Sequence, residues 1–158
     1  MQLAWQRLEE ETGHDVSYAL LESLVGAPLP EICRTPRGKP YFQDDPRHFS
    51  ISHTKHHAFC CVSEKNVGID AEEIGRKISL HLAQRFLSPS ELARMENAAD
   101  KGDALLRLWV LKESYSKLTG RGIGNYLKTT DFDPYSPEIQ CIDGCYVAVL
   151  EEGDTYAV

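Results

Sequence analysis

The period of apolar and polar positions changes several times along this chain, and the changes divide it into elements. Residues 1–12 are mostly polar, with Glu9-Glu10-Glu11, and read as a helical lead-in. From Val16 the apolar positions Ala19, Leu20 and Leu24 recur at helical spacing, with Asp15 placed to cap the start and Gly26 to close the end. Pro28 and Pro30 then break the chain, and residues 32–35 form a candidate short strand. Pro36-Arg37-Gly38-Lys39-Pro40 is a basic turn whose two prolines fix its backbone.

Residues 49–53 alternate apolar and polar, as a half-buried strand does. Residues 58–63 are an apolar strand, and the polar turn Glu64-Lys65-Asn66 leads into a third, acidic strand at 67–72. Three short strands with tight links predict a β-meander. Beyond the loop at 74–77, a helix starts near Ser79 and carries Leu82, Ala83, Phe86 and Leu87. A second starts at Ser88-Pro89-Ser90, either serine being able to cap it. Asp103 can cap the clearest helix, 104–118, in which Leu108, Leu111, Tyr115 and Leu118 form a buried stripe. The glycine-rich loop at 120–124 ends it. Asp143-Gly144 joins strands at 138–142 and 145–150, the strongest two-residue hairpin signal, and a further strand is expected at 156–158. A helix followed by a meander thus occurs twice. The expected fold is α+β: one domain over 1–158, with similar halves at 1–75 and 76–158.

Composition narrows the class. At 158 residues, with 42% hydrophobic and 26% charged positions, the chain suits one soluble globular domain. A net charge of −7 argues against nonspecific nucleic-acid binding, yet leaves room for a local basic pocket. No apolar run approaches the roughly 20 residues needed to span a membrane, and the first residues lack the pattern of a signal peptide. Cytoplasmic location and a monomer are the expectations. The five cysteines are odd in number and include no C-x-x-C, so they read as small buried apolar residues. His48, His53, His56 and His57 lie close together, but no second cluster offers the remaining ligands of a tetrahedral zinc site.

Three features carry candidate chemistry. In an extended strand Asp70 and Glu72 project to one face, and two such close carboxylates either sit solvated at a strand end or begin a hard-cation site. The turn around Lys39 is either a loop with exposed cations or an anion cradle, and Ser52-His53 at a strand end can donate hydrogen bonds to an anion. Glu113 and Lys117 are i,i+4 neighbours, either a surface ion pair or part of a site.

Taken in order, Gly38-Lys39-Pro40, Ile51-Ser52-His53, Gly68-Ile69-Asp70-Ala71-Glu72 and Trp109-Val110-Leu111-Lys112-Glu113 with Lys117 resemble the motifs of the Sfp-type 4'-phosphopantetheinyl transferase superfamily. The segment 85–91 and the loop Gly120-Arg121-Gly122 resemble its linking segment and its glycine-basic-glycine loop. The resemblance implies two α+β halves related by pseudo-twofold symmetry, with coenzyme A and Mg²⁺ at their seam. It implies transfer of phosphopantetheine from coenzyme A to a serine of an acyl- or peptidyl-carrier protein, releasing 3',5'-ADP. Asp70, Glu72 and Glu113 would hold the metal; Asp70, Glu113 and Lys117 would be catalytic; and Lys39, Ser52, His53 and Lys112 would contact the coenzyme. A shortened, non-catalytic module that binds coenzyme A or a carrier protein is the alternative, and a histidine-based metal-binding protein is a third reading.

Overall fold

The polar opening of the chain folds as a strand, not as the helix its composition suggests. In the computed structural model, which describes residues 1–153, Gln2–Arg7 (β1) pairs antiparallel with His57–Ser63 (β5), Ala4 opposite Cys60. Leu3 packs with the apolar residues beyond β5, and Trp5 stacks on Phe59 with ring centroids 6.4 Å apart. Ladder bonds and this burial outweigh local propensity. The expected strand at 156–158 lies outside the described residues.

Helix α1 (Gly13–Val25) starts earlier than the apolar pattern indicates. Thr12 caps it, its side chain accepting the Asp15 N–H, while Asp15 lies in the first turn, where a carboxylate suits the helix dipole. Gly26, at φ 101°, closes it as expected. Ile32–Arg34 (β2) and Pro40–Phe42 (β3) form a small hairpin around the basic turn. His48–His53 (β4) then pairs with β5. Val67–Glu73 (β6) is followed by the one-turn helix α2 (Leu80–Ala83) and by α3 (Pro89–Asn97). Ser88 and Glu91 make a reciprocal capping box at the start of α3, with Pro89 in its first turn. The long helix α4 (Lys101–Thr119) is capped by Asp100, one turn ahead of Asp103. A 3₁₀ turn at Asn125–Thr129 leads to the hairpin of β7 (Ile139–Ile142) and β8 (Cys145–Glu151). Its turn residues Asp143 and Gly144 both have positive φ, 46° and 79°.

The expected meander is corrected at its last strand. The three-stranded sheets run β1-β5-β4 and β6-β8-β7, so β6 leaves β5 after a tight turn and pairs with β8, Asp70 opposite Ala148. The strand grouped with the first half at 1–75 therefore hydrogen-bonds within the second sheet. Seen this way, each sheet is strand, helix, hairpin, with the last strand inserted between the other two: β1, α1, β4, β5 and then β6, α4, β7, β8.

The strand faces sort the core into layers. Cys60 and Val62 of β5 pack toward α1 with Leu21 and Phe49, whereas Phe59 and Cys61 point the other way. There they meet Val67, Ile69 and Ala71 of β6 and Cys145 and Val147 of β8. The far side of the second sheet packs on α4 through Tyr146, Ala148 and Leu150. Helix α4 is consequently buried around most of its circumference, not along one stripe. Between the sheets, β4 and β6 lie side by side with no backbone ladder; instead Ser50 Oγ accepts the Ile69 N–H at 3.1 Å and Ser52 Oγ the Ala71 N–H at 3.2 Å.

Gly68 sets how closely β6 approaches α4. A Cβ there would stand 2.2 Å from the Ser114 carbonyl oxygen and 2.4 Å from the Leu118 nitrogen, both backbone atoms with no means of swinging away. The Gly68 carbonyl also accepts the Ser114 hydroxyl at 2.8 Å. Gly68→Ala is expected to destabilise the fold by roughly 3 kcal/mol or more, the upper range for core overpacking. A urea midpoint equal to wild type would contradict this packing.

Candidate functional site

The face of β6 turned toward α4 carries Gly68, Asp70 and Glu72, the alternation expected of a strand. Gly68 brings that face against the helix, and the helix presents Glu113 and Lys117 to it. Asp70 is only 6% exposed. Its Oδ1 accepts from Lys117 Nζ at 2.8 Å and from Ser52 Oγ at 3.2 Å. Its Oδ2 is buried and has no hydrogen-bond partner among the described residues. A buried carboxylate oxygen without a donor is costly, and such exceptions mark a strain reservoir, a catalytic group or a missing ion.

Glu113 shares this environment. Burial pushes its carboxyl up to about 7 and the Asp70 charge adds to the rise, while Lys117 and Arg76 oppose it. The carboxylate pair is therefore short of positive charge. Glu72 is oriented differently: its Oε1 is paired with Arg76 and accepts from Trp109 Nε1 at 3.3 Å. Among the described residues no three His, Cys, Asp or Glu side chains are gathered closely enough to hold a metal. Asp70 Oδ2 with Glu113 nevertheless supplies the hard oxygen donors that a small divalent cation prefers.

Lys117, bonded to Asp70, also lines a cleft of about 230 Å³ that opens between the β2–β3 turn, β4 and the end of α4, with Arg37, Lys39, Ile51 and Gly120 among its other wall residues. A second hollow of about 560 Å³ shares Arg37, Lys39 and Gly120 with it and adds Tyr41, His48 and Arg121. Arg37 donates to the Arg121 carbonyl at 3.2 Å, joining the basic turn to the glycine-rich loop, and Arg121 stacks over the Tyr126 ring. Cations so concentrated in a chain of net charge −7 favour an anionic ligand here.

The remaining predicted site residues are placed unequally. Lys39 lines both hollows, but its ammonium donates to Asn66 and, at 2.7 Å, to the Leu118 carbonyl, capping the end of α4. Burial brings that ammonium down to about 8. Ser52 lies behind Asp70, not in the cleft wall, and His53 beside it is exposed and packed against Gly13. Lys112 is the clearest departure from expectation as a coenzyme contact. Its side chain has 0% exposure and its ammonium lies 2.8 Å from the equally buried Glu91, donating also to the carbonyls of Leu127, at 2.6 Å, and Thr130. It points to the opposite side of α4 from Lys117, into the join with α3. Glu91 was visible in the sequence only as part of a capping signal; its second task, accepting the Phe132 N–H and meeting Lys112, depends on segments far apart in the chain. Ser50 likewise carries no signal of its own, whereas Arg37 lies within the basic turn at 36–40.

Comparison with known proteins bears on this geometry. The model of a family described as the 4'-phosphopantetheinyl transferase superfamily matches residues 66–149, just over half of the chain, from the turn before β6 into β8. A 4'-phosphopantetheinyl transferase of Bacillus subtilis is 30% identical over 128 residues, which cover 75% of this chain and 57% of that protein. The transferase Sfp of Bacillus subtilis strain 168 is 36% identical over 89 residues, covering 54% and 39%. HetI, a 4'-phosphopantetheinyl transferase of Nostoc sp. PCC 7120, is 36% identical over 95 residues, covering 55% and 40%. The chain thus spans between 39% and 57% of the length of these relatives.

Proposed function

Because the chain belongs to the 4'-phosphopantetheinyl transferase superfamily, we propose that it transfers phosphopantetheine from coenzyme A to a serine of an acyl- or peptidyl-carrier protein. The observation that carries the proposal is the buried Oδ2 of Asp70, which has no hydrogen-bond partner among the described residues; Glu113 feels the same carboxylate's charge, and Lys117, paired with Asp70, reaches the wall of a basic cleft. In this reading Asp70 and Glu113 hold Mg²⁺, and Glu72 joins them once it is released from Arg76. Bound there, the cation would neutralise the coenzyme's diphosphate and polarise the phosphorus under attack. The chain's own residues do the rest. Arg37, Lys39 and Arg121 attract the phosphates, and Lys117 stabilises the negative charge that develops as 3',5'-ADP leaves. Glu113 serves first as a ligand and second as the acceptor of the serine proton, directly or through water. Lys112 is assigned to the core instead.

The pseudo-twofold relation between halves belongs to the same proposal. It is supported by the repeated order of strand, helix and hairpin, and in this proposal the division between halves is set at the 64–66 turn, ahead of β6. Action as a monomer in the cytoplasm is likewise part of the proposal; no helix among the described residues is long and apolar enough to cross a membrane.

Incubating the purified protein with coenzyme A, Mg²⁺ and a panel of apo carrier proteins should add one phosphopantetheine to a serine, read by intact mass. No addition to any carrier by folded protein would overturn the proposal. Coenzyme A affinity should also fall as pH rises through about 8, where Lys39 loses its charge. Stability moves the other way. Between about 8 and roughly 10.4 the unfolded chain binds more protons at this lysine, so its contribution to stability rises with pH. Calorimetry on wild type and Lys39→Met checks the first effect, and an equal pH dependence in both would remove Lys39 from the ligand's field.

A further inference from the structure

Ser52 occupies a position unlike that of a phosphate contact. It is 5% exposed, and its single hydroxyl is engaged twice: Oγ accepts the Ala71 N–H and donates to Asp70 Oδ1, each at 3.2 Å. The same Asp70 oxygen takes Lys117 at 2.8 Å, and Lys117 is itself steadied by the Ile51 carbonyl at 3.3 Å. One carboxylate oxygen is therefore held by two donors, and the other is left with none. A carboxylate free to turn would bring either oxygen to the Lys117 ammonium, a point charge that does not itself select between them. The hydroxyl, anchored to the β6 backbone one residue along, opposes that turn.

We propose that Ser52 is a positioning residue for Asp70: it fixes the carboxylate so that Oδ1 is spent within the protein and Oδ2 stays open to a divalent cation. This inference rests on the metal-binding reading of Asp70 and Glu113, and it assigns Ser52 a task other than holding the coenzyme's phosphates. Neighbouring Ser50 provides an internal comparison. Its hydroxyl makes the same kind of bond across the seam, to the Ile69 N–H, and meets no carboxylate among the described residues.

The test uses Mn²⁺ titrated into the purified full chain, free ion being followed by electron paramagnetic resonance. Ser52→Ala and Ser50→Ala each remove one acceptor from a buried N–H and should lower the urea midpoint comparably. Mn²⁺ affinity should fall roughly 10-fold in Ser52→Ala, in the range found for loss of a partner that orients a metal ligand, and stay within about twofold of wild type in Ser50→Ala. Ser52→Thr and Ser52→Val, alike in shape and differing in the hydroxyl, guard against a poorly folded alanine variant; only the threonine should bind Mn²⁺ as wild type does. In the transfer assay, excess Mg²⁺ should restore Ser52→Val, whereas loss of a phosphate contact would raise the KM for coenzyme A at every Mg²⁺ concentration. Equal Mn²⁺ affinities for the threonine and valine variants, while Asp70→Asn abolishes binding, would overturn the positioning role and leave the metal site standing. Undiminished Mn²⁺ binding in Asp70→Asn would overturn the metal reading itself, and the inference with it.

Discussion

Asp70→Asn is expected to lower phosphopantetheine transfer by at least about 10²–10³-fold, the loss typical of removing one group that stabilises charge in a transition state. The substitution keeps the side chain's shape. It also keeps an oxygen for Ser52 and Lys117, so the seam between β4 and β6 should survive. What changes is the second atom: an oxygen that faces no donor becomes an amide that repels a cation. Neutralising a buried anion with one unpartnered oxygen also relieves desolvation. Thermal stability should therefore stay near that of wild type or rise while activity disappears, the pattern of a group retained for function at the expense of stability. The pair of measurements is a melting curve and an initial rate with an apo carrier. A near-normal rate in folded Asp70→Asn protein would remove Asp70 from the reaction.

The largest effect on stability is expected at the other side of α4. Glu91→Ala should cost about 3–5 kcal/mol, because it leaves the Lys112 ammonium buried against two carbonyls without its counter-charge. Burial already drives the two groups toward neutrality, raising Glu91 and lowering Lys112, and each one's charge opposes the other's shift. Glu91 also caps α3 and accepts the Phe132 N–H, so three segments lose a common anchor. Replacing both partners with apolar residues, Glu91→Leu with Lys112→Met, should recover most of the loss, since a buried pair is far costlier to break than to replace. Urea midpoints of the two single variants and the double variant form the cycle that measures the coupling. A Glu91→Ala protein within about 1 kcal/mol of wild type would show that water reaches the pair.

Much of this architecture is legible in the amino-acid sequence. Helices α1 and α3 and the β7–β8 hairpin follow from local signals: Gly26 at a stop, Ser88-Pro89 at a start, Asp143-Gly144 at a turn. The carboxylates of β6 are legible because alternation along a strand puts Asp70 and Glu72 on one face. The failures share a physical origin, which is dependence on partners distant in the chain. β1 is polar in composition and becomes a strand through β5, and β6 was assigned by its short link to β5 although its ladder is with β8. Lys112 adjoins Glu113 in the sequence, and the family resemblance puts both at one site, Lys112 on the coenzyme and Glu113 on the metal. A helix turns about 100° per residue, however, and α4 is buried on several sides, so neighbours on it serve different neighbourhoods. Nothing in Ile51-Ser52-His53 reveals that the Ser52 hydroxyl ends on Asp70.

The hydroxyl bridges between β4 and β6 also bear on how such a protein can change over generations. A backbone ladder draws an acceptor from every residue and a donor from every residue but proline, so most side-chain substitutions do not erase it. The bonds from Ser50 and Ser52 exist only while the codons specify a hydroxyl. The spacing of β4 and β6 is thus a heritable quantity, adjustable one oxygen atom at a time while the sheets on either side keep their own ladders intact.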